Sequence, residues 1–231
     1  MEKKFAADLY VDRISSKLAK LADPESAIKM SNYMQKKFDF FGIKAQPRRK
    51  AVGEFFEKEQ RPAYNNIELV IKKMWSLPER EYQYVGTELL IKYQQQYQLD
   101  IIDLFEFMLL NKSWWDTVDV IAKKLIGSYF KTFPAQIKPF TDRWLASDNI
   151  WLQRTCLLFQ LAYKEKTDQA LLFNLCFSLQ TSQEFFIQKG MGWALREYSK
   201  TNPSAVEKFI KVIKLPTLTI RESLKIIKKR K

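Results

Sequence analysis

Apolar residues recur at helical spacing along almost the whole of this 231-residue chain. In the stretch FAADLYVDRISSKLAKLA they lie three to five positions apart, which is the pattern of an amphipathic α-helix. Asp23 and Pro24 then supply an N-cap and a first helical residue for the next helix. About a dozen such segments, joined by short connectors and without a convincing strand, predict an all-α protein.

The predicted helices form pairs that repeat along the chain. Trp115, Arg154 and Trp193 are separated by 39 residues each, and each lies in the second helix of a pair. A period of about 40 residues is typical of HEAT-like repeats, which stack into a curved α-solenoid. We therefore expect one HEAT-like repeat domain over residues 1–231, with these three side chains on a common concave, basic face.

The net charge of +13 is spread along the chain and is not confined to one tail. Such an excess indicates a polyanionic partner, nucleic acid before an anionic membrane. The six glycines are too few for a turn-rich β fold and argue against a glycine-rich phosphate loop. The N-terminus lacks the apolar stretch of a signal peptide, and no apolar run is long enough to span a bilayer, so we expect no membrane partner.

The chain contains no histidine. This excludes a serine or cysteine nucleophile activated by histidine, a histidine general base and a histidine-containing zinc site. Cys156 and Cys176 lie in apolar helical runs without the close spacing of a metal site or a disulfide framework. We expect both to be small core residues of a cytoplasmic protein that holds no metal.

The segment NKSWWDTVDVIAKKL, residues 111–125, combines tryptophans with aspartates in one predicted helix. Trp115 and Asp119 are four residues apart and therefore share a face. Taken alone, Trp115 is most simply a core residue, and Asp119 is most simply exposed or paired with Lys123. A different face of the same helix is predicted to pack in the core through Trp114, Val118 and Ile121.

Four motifs carry a resemblance to a known family: KSWWDTVD, SDNIWLQR, EFFIQK and GWALREYSKTNP, with YM, FGI and RR nearer the N-terminus. From about Tyr33 to Pro203 the sequence closely resembles the AlkD family of HEAT-repeat DNA alkylation repair glycosylases. The resemblance implies excision of purines alkylated at ring nitrogens, such as 3-methyladenine and 7-methylguanine, from double-stranded DNA. It also implies a monofunctional enzyme that does not insert the damaged base into a pocket.

The same resemblance implies roles for individual residues. Asp119 corresponds to the catalytic carboxylate, and Trp115 and Trp193 correspond to the aromatic walls of the catalytic cleft. Arg154 corresponds to a residue that holds the DNA backbone beside the lesion. Two further positions correspond to DNA contacts, Tyr33 and Arg196.

Other cations are candidates for DNA binding. Lys44 stands where a neutral polar residue is expected in the family, so it departs from the pattern near the opposite strand. The run PRRK includes Arg48 and Arg49, which suit either phosphate binding or a solvated helix face. Lys112 and Lys189 flank the implied catalytic segments and are expected to contact the DNA backbone.

The implied chemistry suits these residue types. An N-alkylated purine is already cationic, so it leaves without a general acid, and the lack of histidine is no handicap. As the glycosidic bond lengthens, positive charge develops on the sugar, which a carboxylate stabilises while it orients a water. Each aromatic face adds about 0.5–2 kcal/mol of attraction for a cation.

Two alternatives remain open at this stage. A non-catalytic HEAT-repeat module that binds DNA would have the same fold and charge, and the intact set of Trp, Asp and Arg residues argues against it. A peptide-binding scaffold is a common use of helical solenoids, and the charge of +13 suits it less well. The sequence indicates no cofactor and no obligate protein partner, and we expect a monomer.

Overall fold

The computed structural model describes residues 7–58 and 61–230, and within these ranges it consists of helices and connecting turns without a strand. An isolated bridge pairs Asp39 with Glu79. The prediction of an all-α fold is confirmed. None of the described helices is long and apolar enough to cross a membrane. The chain divides into two compact units, Met1–Tyr97 and Gln98–Lys231, and the single domain over residues 1–231 stays a prediction.

The described part of the first unit is built from five α-helices. They are α1 (Ala7–Ala19), α2 (Pro24–Tyr33), α3 (Ala45–Lys58), α4 (Ile67–Ser76) and α5 (Arg80–Ile91), with 3₁₀ turns at Tyr64–Asn66 and Gln94–Gln96. Helix α2 begins as predicted, because Asp23 Oδ1 accepts hydrogen bonds from the amides of Glu25 and Ser26 at 3.1 and 3.2 Å.

Helix α3 begins at Ala45, two residues before Pro47. The loop that precedes α3 is held by the buried Glu81 carboxylate from α5. It accepts hydrogen bonds from the amides of residues 41–43, each at 3.0 Å. These contacts fix the path of the chain before the proline, so the helix does not depend on Pro47 to begin.

The second unit carries the segments that the sequence singles out. Its α-helices are α6 (Ile101–Leu110), α7 (Trp115–Val120), α8 (Gly127–Thr132), α9 (Ile137–Leu145), α10 (Ile150–Leu158), α11 (Gln169–Ser178), α12 (Phe185–Tyr198), α13 (Pro203–Val212), α14 (Thr217–Ser223) and α15 (Ile227–Arg230). Short 3₁₀ turns lie at Pro134–Gln136, Phe159–Ala162 and Lys164–Lys166.

The spacing of the repeats differs from the prediction. Helices α7, α10 and α12 begin at Trp115, Ile150 and Phe185, which are 35 residues apart and not 39. Arg154 and Trp193 are therefore the fifth and ninth residues of their helices, whereas Trp115 is the first of its own. The 39-residue spacing is the sum of the 35-residue repeat and a shift of four residues, about one helical turn, from each helix to the next.

The segment around Asp119 does not form one uninterrupted α-helix. A π-helical turn, Ile121–Ile126, joins α7 to α8. Helix α7, the π turn and α8 form one continuous helical rod, along which buried positions recur every four residues. One row is Thr117, Ile121, Leu125 and Tyr129, and the other is Val118, Ala122, Ile126 and Phe130. An α-helix would rotate each row by about 40° every four residues. The wider π turn offsets that rotation and keeps both rows against the core.

Gly127, the first residue of α8, lies against the backbone of the segment that follows α10. A Cβ at this position would lie 2.5 Å from the carbonyl oxygen of Phe159. We expect Gly127→Ala to lower the free energy of unfolding by about 2–4 kcal/mol, because a backbone carbonyl cannot turn aside as a side chain can.

A matched control for this substitution lies in α3. A Cβ at Gly53 would meet no atom within 4 Å, so Gly53→Ala should raise stability by about 0.5–1 kcal/mol through helix propensity alone. Urea unfolding of both variants measures the difference. The same change in both would contradict the close approach at Gly127.

Candidate functional site

The Asp119 carboxylate in α7 forms a two-pronged ion pair with the Arg154 guanidinium in α10. Arg154 Nε donates to Oδ1 at 2.7 Å, and Nη2 donates to Oδ2 at 3.0 Å. The two side chains are 13% and 6% exposed, so the pair is almost completely removed from water. The partner found for Asp119 is thus an arginine from another helix rather than Lys123 on its own helix.

Helix α12 completes the surroundings of Arg154. Arg154 Nη1 donates a hydrogen bond to the backbone carbonyl of Phe186, and the guanidinium lies 6.0 Å from the centre of the Phe186 ring. Gly190, one turn along α12, leaves room for the guanidinium, since a Cβ there would lie 3.2 Å from Nη1. Arg154 therefore joins α7, α10 and α12 through one side chain.

A cluster of three aromatic rings packs the N-terminal ends of the same helices together. The ring centres of Trp114 and Trp151 are 5.5 Å apart, and those of Trp114 and Phe186 are 5.1 Å apart. Trp151 and Phe186 close the triangle at 5.0 Å. The prediction that Trp114, Val118 and Ile121 are core residues is confirmed. The aromatic cluster sets the spacing of the helices that carry the ion pair.

The two tryptophans predicted to line the cleft are both half-buried. Trp115 precedes Asp119 by four residues on α7, so the two side chains lie on one face of the helix. Trp193 follows Gly190 by three residues on α12, which places it on the side of α12 that faces Arg154. Each tryptophan is thus within one helical turn of a residue that takes part in the ion-pair site.

The environment of Asp119 acts on its pKa in two directions. Burial raises the pKa above the ordinary value of 3.8, and the charge of Asp116 acts in the same direction. The hydrogen bonds and the positive charge of Arg154 lower it, and the net effect is a raised pKa. Arg154 therefore favours the ionised form of Asp119, whereas burial favours the neutral form.

Lys189 and Arg196, both predicted to contact DNA, share one acidic partner. The Glu222 carboxylate in α14 accepts hydrogen bonds from Lys189 Nζ and Arg196 Nη1, each at 2.7 Å. Lys225 Nζ donates to it at 2.8 Å. Hydrogen bonds from Lys189 and Lys225 lower the pKa of Glu222 to about 2.

The remaining predicted DNA contacts lie in the first unit. Tyr33 at the end of α2 and Lys44 before α3 are exposed. Arg48 is buried and pairs with Glu88 at 2.9 Å, whereas the exposed Arg49 reaches the same carboxylate at 3.1 Å. Exposure favours a phosphate contact for Arg49 and Lys44, and burial weighs against one for Arg48.

Lys112 connects α6 to α7 in a left-handed backbone conformation, with φ of 51°. This conformation costs an ordinary residue about 1–2 kcal/mol, and glycine is the residue that it favours. The side chain stands three residues before Trp115, in the turn that leads into the ion-pair helix.

The backbone at Lys112 makes glycine a substitution that removes the cation without straining the turn. We expect Lys112→Gly to raise the free energy of unfolding by up to about 1 kcal/mol. We also expect it to weaken DNA binding and to reduce the slope of log affinity against log salt by about one. Affinity measured at several salt concentrations tests this, and an unchanged slope would exclude a phosphate contact.

Neither thiol belongs to a reactive or metal-binding arrangement. Cys156 and Cys176 are free and buried, which confirms that they are core residues. Burial raises the pKa of both thiols, that of Cys176 to about 12. Among the described residues no group of three acidic, cysteine or histidine side chains could hold a metal ion.

Sequence reasoning missed three residues of this site: Phe186, Gly190 and Glu222. The signal for Gly190 was present, because GMG places two of the six glycines of the chain within one helical turn. A carbonyl such as that of Phe186 and a carboxylate from a distant helix leave no local pattern. Only the packing of α12 and α14 against their neighbours reveals them.

Comparison with known proteins gives a consistent result. Residues 14–227 match a family model described as DNA alkylation repair enzyme. A solved structure described as a predicted DNA alkylation repair enzyme from Enterococcus faecalis is 36% identical, with a TM-score of 0.83 over 90% of this chain and 97% of that chain. AlkD2 from Streptococcus mutans is 14% identical, with a TM-score of 0.66 over 95% of this chain and 98% of that chain, a likeness of fold alone. No curated protein matches the sequence.

Proposed function

Because this chain belongs to the DNA alkylation repair enzyme family, we propose that it is a monofunctional glycosylase acting on cationic alkylated purines in duplex DNA. Its substrates are purines alkylated at ring nitrogens, such as 3-methyladenine and 7-methylguanine. The observation that carries the proposal is the Asp119 carboxylate, 13% exposed and fixed by two hydrogen bonds from Arg154, four residues after a half-buried tryptophan.

The reaction needs stabilisation of a cation more than it needs a proton donor. The alkylated purine carries a positive charge and leaves as a neutral base, and the sugar becomes an oxocarbenium-like cation. Asp119 stabilises that charge and orients the water that attacks the sugar carbon. Each carboxylate oxygen accepts one hydrogen bond from Arg154 and keeps a second acceptor site for water.

Arg154 acts in this proposal by positioning Asp119. All three guanidinium nitrogens donate hydrogen bonds to protein atoms, and the side chain is 6% exposed. This supports a role in orienting and ionising the carboxylate more than the backbone contact that the resemblance implies. A phosphate contact through the two remaining N–H groups stays a prediction.

Trp115 and Trp193 are proposed as the aromatic walls of the site. Both are half-buried; Trp115 lies one helical turn from Asp119 on α7, and Trp193 lies one helical turn from Gly190, the residue of α12 that approaches Arg154. Their ring faces would attract the developing sugar cation by about 0.5–2 kcal/mol each. Together with one carboxylate they form an environment suited to a cation and not to a specific base, which supports catalysis without a base pocket.

DNA binding in this proposal comes from the net charge of +13. The second unit contributes Lys112, Lys189 and Arg196, and the first unit contributes Tyr33, Lys44 and Arg49. Contacts to phosphate hold the duplex without reading its sequence, so binding weakens steeply with salt. The proposal places this activity in the cytoplasm, where the two buried thiols would remain reduced.

The test is incubation of the purified protein with DNA that carries 7-methylguanine, followed by measurement of released free base. We expect release without added cofactor and in the presence of a metal chelator. A monofunctional enzyme leaves an abasic strand that breaks only after treatment with alkali. Binding to the same DNA without release of base would show a non-catalytic HEAT-repeat module instead. Absence of both would favour a protein-binding scaffold.

A further inference from the structure

Glu222 gathers three cations around one buried carboxylate, two from α12 and one, Lys225, from the turn that follows α14. Its side chain is 5% exposed, whereas Lys189, Arg196 and Lys225 remain 36%, 24% and 50% exposed. The carboxylate thus lies beneath the cations, and the cations reach the surface above it. Three positive charges against one negative charge leave a local excess of +2, so the cluster still attracts anions.

Two of these cations lie on either side of Trp193 along α12. Lys189 precedes Trp193 by four residues and Arg196 follows it by three, so all three share one helix face. Their Cα atoms span two turns, about 10 Å along the helix axis. One carboxylate binds both cationic groups at 2.7 Å, which draws two long side chains toward the level of the tryptophan between them.

The carboxylate is itself held firmly. A Cβ at Gly192 would lie 2.5 Å from Glu222 Cβ, so only glycine at that position lets α14 approach α12 this closely. Thr219 Oγ1 donates a hydrogen bond to the Gln188 carbonyl at 3.0 Å and ties the two helices together one turn before Glu222. The hydrogen bonds from Lys189 and Lys225 that lower the pKa of Glu222 favour its ionised form, which is the form that holds the cations.

We propose that Glu222 is a positioning residue, which fixes Lys189 and Arg196 around Trp193 as a preorganised clamp for a DNA phosphate beside the site. This inference rests on the proposed function, because it assigns the nucleic-acid strand as the ligand of the clamp. Without Glu222 the two cations repel each other and regain their rotamer freedom. A phosphate then has to order both side chains as it binds, which weakens binding.

The direction in which Glu222→Gln changes the affinity for DNA distinguishes a positioning role of Glu222 from a simple effect of its charge. Glu222→Gln keeps the size of the side chain and removes a negative charge. If Glu222 only reduced the net charge, this variant would bind duplex DNA more tightly. The clamp requires the opposite result, with affinity for unmodified duplex DNA lower by about tenfold at moderate salt.

Glu197 provides the matched control on the same helix. It pairs with Lys200 at 2.7 Å, outside the clamp. Glu197→Gln makes the same change of charge, and we expect unchanged or slightly tighter binding from it. Weaker binding by Glu222→Gln alone supports the clamp, whereas equal or tighter binding by both variants overturns it.

Glu222→Asp is the second variant, because a poorly folded Glu222→Gln would lose affinity for another reason. It keeps the charge but is one methylene shorter, so it cannot reach both cations as glutamate does. A loss of affinity at an unchanged melting temperature supports the clamp, and wild-type affinity contradicts it. These assays measure binding and not base release, so they stay informative even if the wild-type protein excises no base.

Discussion

Asp119→Asn is expected to reduce excision of 7-methylguanine by about 10²–10³-fold, the loss typical of removing one electrostatic stabiliser of a transition state. The amide keeps the shape of the carboxylate but has no charge to offset that of the sugar. Its NH₂ group also faces the Arg154 guanidinium, and no hydrogen bond can form between them because both groups are donors. Single-turnover release of free base from excess enzyme measures the chemical step.

The same substitution is expected to lower stability, because it leaves the buried Arg154 guanidinium without a counter-charge. The expected loss is about 1–3 kcal/mol of unfolding free energy, since the amide oxygen still accepts one hydrogen bond. Excision by this variant should therefore be measured well below its melting temperature. Asp116→Asn is the control, with the same change of charge on α7, and should keep excision within a few fold. Near wild-type excision by Asp119→Asn would remove Asp119 from the mechanism.

Arg154→Met is the second substitution with a large expected effect, and its signature is a shift in pH dependence. Burial raises the pKa of Asp119 above 3.8, and Arg154 lowers it. Removing the guanidinium leaves burial unopposed, so the pKa rises further. Because the ionised form is the active one in our proposal, the acid limb of the rate profile should move to higher pH than in the wild type.

Stability of Arg154→Met should depend on pH with a definite sign. In the folded variant Asp119 has a higher pKa than in the unfolded chain, so the folded state binds more protons in the window between the two values. Stability is therefore highest at low pH and falls as pH rises through that window. Near neutral pH we expect a loss of about 3–5 kcal/mol, the cost of an unpaired buried charge.

The double variant Asp119→Asn with Arg154→Met provides the thermodynamic control. It removes both charges of the pair, and its stability should exceed that expected from adding the two single losses. Its excision activity should stay as low as that of Asp119→Asn. Strict additivity of the stability losses, or an acid limb unchanged in Arg154→Met, would show that the two side chains are not coupled.

The sequence predicted those features that depend on neighbouring residues. The Asp23 cap, the core position of Trp114 and the burial of the two cysteines all follow from local chemistry and apolar spacing. The shared face of Trp115 and Asp119 follows from helix geometry alone. These features can be predicted without knowing which helices pack against each other.

The features that the sequence did not predict depend on contacts between helices that are far apart in the sequence. The pairing of Asp119 with Arg154 was missed because both were assigned to a ligand, the sugar and the phosphate, and not to each other. Glu222 lies in a helix without a recognised motif, and its role follows from the approach that Gly192 permits. The repeat length was overestimated because the chosen residues advance along their helices from one repeat to the next.

The π turn after Asp119 has a consequence for insertions and deletions. Loss of one residue between Ile121 and Ile126 would let the rod become an ordinary α-helix. The two ends of the rod would keep their orientation, because the lost residue is the extra one that the wider turn accommodates. A deletion elsewhere in the rod, with the π turn kept, would instead turn one end by about 100° relative to the other, and would carry either Asp119 away from α10 or Tyr129 and Phe130 away from the core. The hexapeptide Ile121–Ile126 should therefore tolerate the loss of one residue better than the α-helical turns on either side of it.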